Sequence, residues 1–151
     1  LNREVYNLGF SGNGRLDLEV AEVMASVDAG LYVIDCLPNN KVDALKANID
    51  PFFQLLRSKR PDVPVLFVES PMFPGYLLDM NEEATLKEKN AALREYYEKL
   101  KKAGVKKIYY FETKNILTED RQGTVDGYHF TDLGFYRFEK KLLPVIQKIL
   151  K

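Results

Sequence analysis

Histidine and cysteine are nearly absent from the 151-residue sequence, which contains one of each, His129 and Cys36. A single cysteine excludes an internal disulfide and a zinc site built from several cysteines. No apolar run approaches the roughly 18 residues that a membrane-spanning helix requires. Net charge is also absent, because 22 Lys and Arg residues balance 22 Asp and Glu residues. The charge therefore gives no reason to expect nucleic acid or an anionic membrane as a partner.

The remaining composition is typical of one globular domain with a substantial core, since 46% of the residues are hydrophobic and 29% are charged. Short apolar runs alternate with stretches of helical hydrophobic spacing. The runs predict strands at 5–8, 31–37, 65–70 and 107–111. The spacing predicts helices at about 16–27, 42–56, 82–103 and 131–150, with a break or kink at Pro51 and a kink at Pro144. The alternation predicts an α/β fold with helices on both faces of a parallel sheet, and an apolar loop at 71–81 for which packing is favoured over a flap.

The only histidine lies in the sequence Asp126-Gly127-Tyr128-His129, directly before the last predicted helix. Histidine is the side chain whose ordinary pKa suits acid–base chemistry near neutral pH. A carboxylate three residues upstream can reach the imidazole Nδ1–H across a tight turn, which leaves Nε2 as a base. The same spacing also fits a surface turn capped by an Asp, so the motif alone does not establish a catalytic pair.

Two further polar stretches follow predicted strands, at the edge where ligands bind in open α/β sheets. Glycines at 9, 12 and 14 follow the first strand, in a pattern that matches neither a dinucleotide-binding motif nor a P-loop. Asn39 follows the second strand in the sequence Pro38-Asn39-Asn40. A side-chain amide beside a backbone N–H is what an oxyanion requires, although Asn39 also fits an ordinary turn position.

Together these stretches resemble the SGNH (GDSL-like) esterase and lipase family. The resemblance lies in residues 7–12, 36–39 and 126–129, and the Leu-Pro-Asn sequence at 37–39 is similar to a bacterial branch of the family. It implies a flavodoxin-like, three-layer αβα fold for a single domain over residues 1–151.

The resemblance also implies roles for four residues. Gly12 would give a backbone N–H to an oxyanion hole and Asn39 its side-chain amide, while Asp126 would orient His129 as the general base. Two positions depart from the family pattern. Pro38 stands where the family has a glycine, which removes an N–H, and the following residue is Asn instead of the usual Asp.

The family's nucleophile is a serine on a first strand, upstream of the glycine-rich turn. We therefore expect that first strand to be missing from this chain, so that the domain is N-terminally incomplete. The natural protein would carry at least a further strand and crossover helix, roughly 30 residues, with the serine on them. Ser11 and Ser70 are weaker candidates within the chain.

The implied function is a carboxylic ester hydrolase for small or carbohydrate-linked acyl esters, such as acetyl esters, with neither a metal nor an organic cofactor. The alternative is a non-catalytic binding domain for an acylated sugar or a carboxylate. A flavodoxin-like nucleotide-binding or phosphoacceptor domain is a weaker alternative, because the Lys-Ser/Thr of a P-loop is absent. Nucleic acid and membrane are not expected as partners. Oligomeric state and compartment stay open, with a periplasmic or secreted location as one option.

Overall fold

Three parallel strands, in the spatial order β1-β2-β3, form the sheet in the computed structural model. The structure describes residues 1–117, 120 and 122–151. The elements are α1 (Leu18–Ser26), β1 (Tyr32–Ile34), α2 (Val42–Lys59), β2 (Val65–Val68), a 3-10 helix (Pro74–Leu78), α3 (Met80–Lys102), β3 (Ile108–Phe111) and α4 (Asp132–Ile149). Because the strands are parallel, their carboxyl ends lie at one edge of the sheet. The α/β class and the parallel sheet are confirmed.

Both faces of the sheet carry apolar side chains, because side chains alternate between the faces along each strand. On one face, side chains of β1, β2 and β3 pack with α1, α2 and α3 around Phe67. On the other face, Leu66, Val68 and Phe111 pack against half-buried side chains of α4. Truncating a fully buried Phe to Ala typically costs about 3–5 kcal/mol, so these layers hold the helices firmly on the sheet.

The predicted strand at 5–8 is wrong, because these residues pair with no strand of the described sheet. Val5 is 79% exposed and Tyr6 is 59% exposed. An apolar run becomes a strand only where a neighbouring strand takes up its backbone hydrogen bonds. The sheet ends at β1, where Val33 is also exposed.

Each of the two proline-containing helices is one continuous element, so the alternative of two separate segments at Pro51 is wrong. A proline inside a helix costs about 3 kcal/mol through a lost hydrogen bond and a steric clash. Ile49, Phe52 and Phe53 flank Pro51 and are all buried. Burial of such side chains contributes about 1.5–3 kcal/mol each, which outweighs the cost of the proline.

The loop predicted at 71–81 packs against the domain, as favoured, and contains the 3-10 helix. Phe73 and Tyr76 are buried in it and form a small cluster with Leu86 of α3. α3 begins two residues earlier than predicted, because the Asp79 side chain caps it by accepting a hydrogen bond from Asn81 N–H at 2.8 Å. This loop therefore connects the end of β2 to α3, and the packing of Phe73 and Tyr76 with Leu86 holds it against the helix.

Candidate active site

The turn at 126–129 holds a carboxylate and an imidazole in direct contact. Asp126 Oδ2 lies 2.7 Å from His129 Nδ1, and Asp126 Oδ1 accepts hydrogen bonds from the backbone N–H groups of His129 at 2.9 Å and Tyr128 at 3.0 Å. These hydrogen bonds, those of His129 foremost, hold the pKa of the Asp126 carboxyl well below its ordinary value. A carboxylate at Nδ1 favours the tautomer protonated there, so Nε2 is left as an acceptor on a side chain that is 84% exposed.

Backbone hydrogen bonds fix this turn from two directions. Val125 N–H donates to His129 O at 2.8 Å, and Gly75 N–H donates to Gly127 O at 2.9 Å. Gly127 has a φ of 92°, a conformation that glycine adopts without strain. α4 begins directly after the turn, where Thr131 caps its first turn. The imidazole therefore projects from a closed turn that the 3-10 helix supports.

Aromatic side chains pack beside the turn. The Tyr128 ring meets the Tyr76 ring edge-on at a centroid distance of 5.2 Å and lies 6.5 Å from Phe73. The Tyr128 hydroxyl donates a hydrogen bond to Glu82 of α3, which raises the pKa of Tyr128 to about 12. An open groove lies beside the turn and is lined by Tyr128 and Glu82 together with Pro74, Gly75, Leu78, Asp79, Asp126 and Gly127. Tyr128 is thus held in place by the packing of its ring on Tyr76 and by the hydrogen bond from its hydroxyl to Glu82.

Three asparagine side-chain amides donate hydrogen bonds to the glycine-rich loop at residues 9–15. Nδ2 of Asn39 donates to Asn13 O at 2.7 Å, Nδ2 of Asn40 donates to Gly14 O at 3.0 Å, and Nδ2 of Asn48 donates to Arg15 O at 3.3 Å. Three consecutive carbonyls of the loop therefore face the 39–40 turn and α2. An amide has two N–H groups, so Asn39 keeps one beyond its bond to the loop.

The Gly12 N–H lies in the same loop, in a turn closed by a hydrogen bond from Asn13 N–H to Phe10 O at 2.9 Å. Gly12 has a φ of 64°, the left-handed conformation that this turn requires. The structure thus brings the four predicted site residues together as two pairs, Asp126 with His129 and Asn39 with the loop of Gly12. Within 1–117, 120 and 122–151, no hydrogen bond joins one pair to the other. The roles that the resemblance implies require both pairs to face one substrate carbonyl, and this arrangement stays a prediction.

Comparison with known proteins decides the family. The sequence model of the GDSL-like Lipase/Acylhydrolase family matches residues 1–147. The chain belongs to this family. Among curated proteins, none matches.

Two solved structures resemble this family member. A protein classed as a GDSL-like lipase from Bacteroides ovatus is 37% identical with a TM-score of 0.87, over 92% of this chain and 41% of that one. The salicylyl-acyltransferase SsfX3 from a tetracycline biosynthetic pathway is 14% identical with a TM-score of 0.70, over 91% of this chain and 44% of that one. The second likeness concerns the fold alone. The chain spans about two fifths of the length of these two structures.

Within the described residues, none of the four serines of this acylhydrolase family member forms a hydrogen bond with His129. Ser26 and Ser58 lie in helices and donate to backbone carbonyls of their own helices. Ser70 follows β2 and is 1% exposed, with its backbone N–H and C=O both bonded to the Asn90 side chain. Ser11 lies in the exposed turn before Gly12. Burial of Ser70 keeps its hydroxyl away from a substrate carbonyl.

Sequence reasoning missed three side chains that support the two pairs: Glu82, Lys89 and Tyr128. Charged side chains of a helix usually form a solvated face, but Lys89 of α3 is only 8% exposed. Its Nζ donates to Pro38 O at 3.2 Å, next to Asn39. The available signal was its position in line with the apolar stripe of Leu86 and Leu93.

Two further observations bear on ligands and membranes. Across the described part of the chain, no group of three or more His, Cys, Asp or Glu side chains has a geometry that could hold a metal ion. No helix in that part is sufficiently long and apolar to cross a bilayer.

Proposed function

We propose that this family member hydrolyses carboxylic esters with small acyl groups, such as acetyl esters, including those on carbohydrates. The observation that carries the proposal is the 2.7 Å contact between Asp126 and His129, which leaves Nε2 facing solvent. An imidazole oriented in this way can take a proton from a hydroxyl and return it to a leaving alkoxide. Membership of an acylhydrolase family supports the reaction class. The choice of small acyl groups and sugar esters rests on the resemblance described above.

In the proposed reaction, a serine hydroxyl attacks the ester carbonyl carbon while His129 Nε2 takes the hydroxyl proton. The carbonyl electron pair moves onto oxygen, where the Gly12 N–H and the second Asn39 N–H stabilise the negative charge. Collapse of this intermediate expels the alcohol, which leaves with the proton from Nε2. A water molecule then repeats both steps on the acyl-serine, releasing the carboxylic acid and restoring the serine.

We further propose that the serine lies outside residues 1–151, on a strand that pairs with the free edge of β1. Two observations support this position. The edge of β1 has no partner in the described sheet, and its Val33 is 40% exposed. The turn that carries Asn39 follows β1 directly. A strand parallel to β1 at this edge would therefore end beside the Asn39 amide.

The test compares the 151-residue chain with the full-length gene product in hydrolysis of p-nitrophenyl acetate. We expect turnover only with the longer form. In that form His129→Ala should lower kcat/KM by about 10²–10⁴-fold through loss of the general base. Asn39→Ala should lower it by about 10²–10³-fold through loss of one oxyanion donor. Asn48→Ala is the matched control, because Asn48 also bonds a loop carbonyl, and it should lower kcat/KM by less than about threefold.

Two results would contradict the proposal. Turnover by the 151-residue chain that disappears in Ser70→Ala would move the nucleophile to Ser70. Absence of turnover in the full-length form, combined with binding of acetylated sugars or acetate, would instead identify a non-catalytic binding domain.

A further inference from the structure

One face of α3 contacts both halves of the candidate active site. Glu82 accepts the hydrogen bond from the Tyr128 hydroxyl, beside His129. Lys89, seven residues further along, donates to Pro38 O, beside Asn39. Seven residues are close to two helical turns, so the two side chains project from the same face about 10 Å apart. Leu86 lies between them and is buried.

Lys89 anchors the Asn39 turn to α3, in addition to the bonds from Asn39 and Asn40 that anchor it to the glycine-rich loop. Lysine is almost never buried without a partner, and Lys89, which is 8% exposed, has Pro38 O as its partner. Burial lowers the pKa of its ammonium group. Three carbonyls of the turn accept hydrogen bonds: Cys36 O and Leu37 O from Asn40, and Pro38 O from Lys89. Asn40 belongs to the turn itself, whereas Lys89 comes from another element. Loss of the hydrogen bond from Lys89 would therefore let the Asn39 turn shift relative to α3.

Glu82 anchors the other half through Tyr128. The tyrosine follows Asp126 by two residues and precedes His129, so its backbone forms part of the turn that orients the imidazole. Its ring is packed against Tyr76 and its hydroxyl is bonded to Glu82. A displacement of this side chain would carry the turn with it.

We propose that α3 sets the spacing between the general base and the oxyanion-hole amide, with Glu82 and Lys89 as positioning residues. The inference rests on the proposed function, because it assigns a catalytic purpose to that spacing. A misplacement of about 1 Å between reacting groups can cost up to about 10²-fold in rate. α3 contacts the base half through Glu82 and the oxyanion half through Lys89. The helix can therefore prevent the two halves from moving relative to each other without contacting the substrate.

The first experiment measures backbone hydrogen exchange in the 151-residue chain, which does not depend on activity. Lys89→Met should raise exchange in residues 36–40, and Tyr128→Phe should raise it in residues 124–130. Lys87→Met is the matched control, because Lys87 pairs with Glu83 on the exposed side of α3, and it should change neither segment. Unchanged exchange at 36–40 in Lys89→Met would overturn the inference, whatever the activity of the protein.

The second experiment measures ester hydrolysis by the full-length gene product. Lys89→Met and Glu82→Leu should each lower kcat by about 10-fold or more, with KM changed by less than about threefold, because substrate contacts stay in place. Lys89→Arg should recover most of kcat, since it restores a donor to Pro38 O. If Lys89→Met does not fold, Glu82→Leu decides the question, with Glu82→Gln, which keeps an acceptor for the Tyr128 hydroxyl, as its conservative control. A lower melting temperature with kcat unchanged would overturn the positioning role. An inactive wild-type protein would instead refute the proposed function, and the exchange experiment would still decide the anchoring.

Discussion

Replacing Gly75 by alanine should displace Tyr128 and destabilise the turn that carries His129. A Cβ built on Gly75 would lie 2.5 Å from Tyr128 Cζ, 2.6 Å from Cε2 and 2.9 Å from the hydroxyl oxygen. Non-bonded carbon atoms prefer separations of about 3.5–4.0 Å, so the ring must move by about 1 Å. That movement weakens its packing on Tyr76 and its hydrogen bond to Glu82.

The expected cost is about 1–2 kcal/mol. Overpacking in folded proteins typically costs about 1–3 kcal/mol. The lower part of this range applies because Tyr128 is 37% exposed and can move outward into solvent. For a chain of this length, about 1 kcal/mol corresponds to a melting-temperature shift of about 2–4 °C, so Gly75→Ala should lower the melting temperature by about 2–8 °C.

The assay is urea or thermal unfolding followed by circular dichroism, with Gly30→Ala as the matched control. A Cβ on Gly30 would lie 3.5 Å from Leu150 Cδ2, an ordinary contact, so this variant should change stability by less than about 0.5 kcal/mol. A double-mutant cycle with Tyr128→Ala tests the cause. If the clash is with the ring, Gly75→Ala should cost little in the Tyr128→Ala background. A penalty of the same size in both backgrounds would refute the reasoning.

Two further predictions concern the same region. Gly134→Ala should destabilise the domain more than Gly75→Ala does, because a Cβ there would lie 2.0 Å from the backbone oxygen of Gly123, which cannot rotate away; equal melting temperatures for the two variants would contradict this. Asp126→Asn should lower stability near pH 7, and the difference from wild type should shrink as the pH falls below about 4. The sign follows from the lowered folded-state pKa of Asp126, whose stabilisation is present above the ordinary carboxyl pKa and lost below it. Urea midpoints at pH 7, 5 and 3 would measure this, and a constant difference would disprove it.

The hydrophobic pattern of the sequence predicted the three strands of the sheet. β1, β2 and β3 were identified by continuous apolar runs, because strands covered on both faces carry few polar side chains. The run at 5–8 has the same character and forms no strand, because a strand also depends on a neighbour that its own sequence does not encode. α2 likewise continues through Pro51, because tertiary burial outweighs a local penalty.

In the candidate site, too, some contacts could be predicted from the sequence and others could not. Asp126 and His129 are three residues apart, so their contact could be anticipated from spacing. The roles of Gly12 and Asn39 came from the resemblance and not from any local rule. The contacts of Lys89 with Pro38 and of Tyr128 with Glu82 span 51 and 46 residues. The periodicity of α3 indicates that Lys89 is buried, but no pattern in the sequence indicates which partner either side chain contacts.

The open side of β1 has a practical consequence for handling the protein. In the part of the chain that the structure describes, no strand pairs with the N–H and C=O groups on this side of β1. Together with the exposed Val33 side chain, they form a template on which another extended chain can add. Natural sheets commonly protect such a border with lysine, proline or a covering segment. At high concentration, the 151-residue polypeptide should therefore tend to dimerise or precipitate through this border. Val33→Lys would be the simplest means of opposing this association.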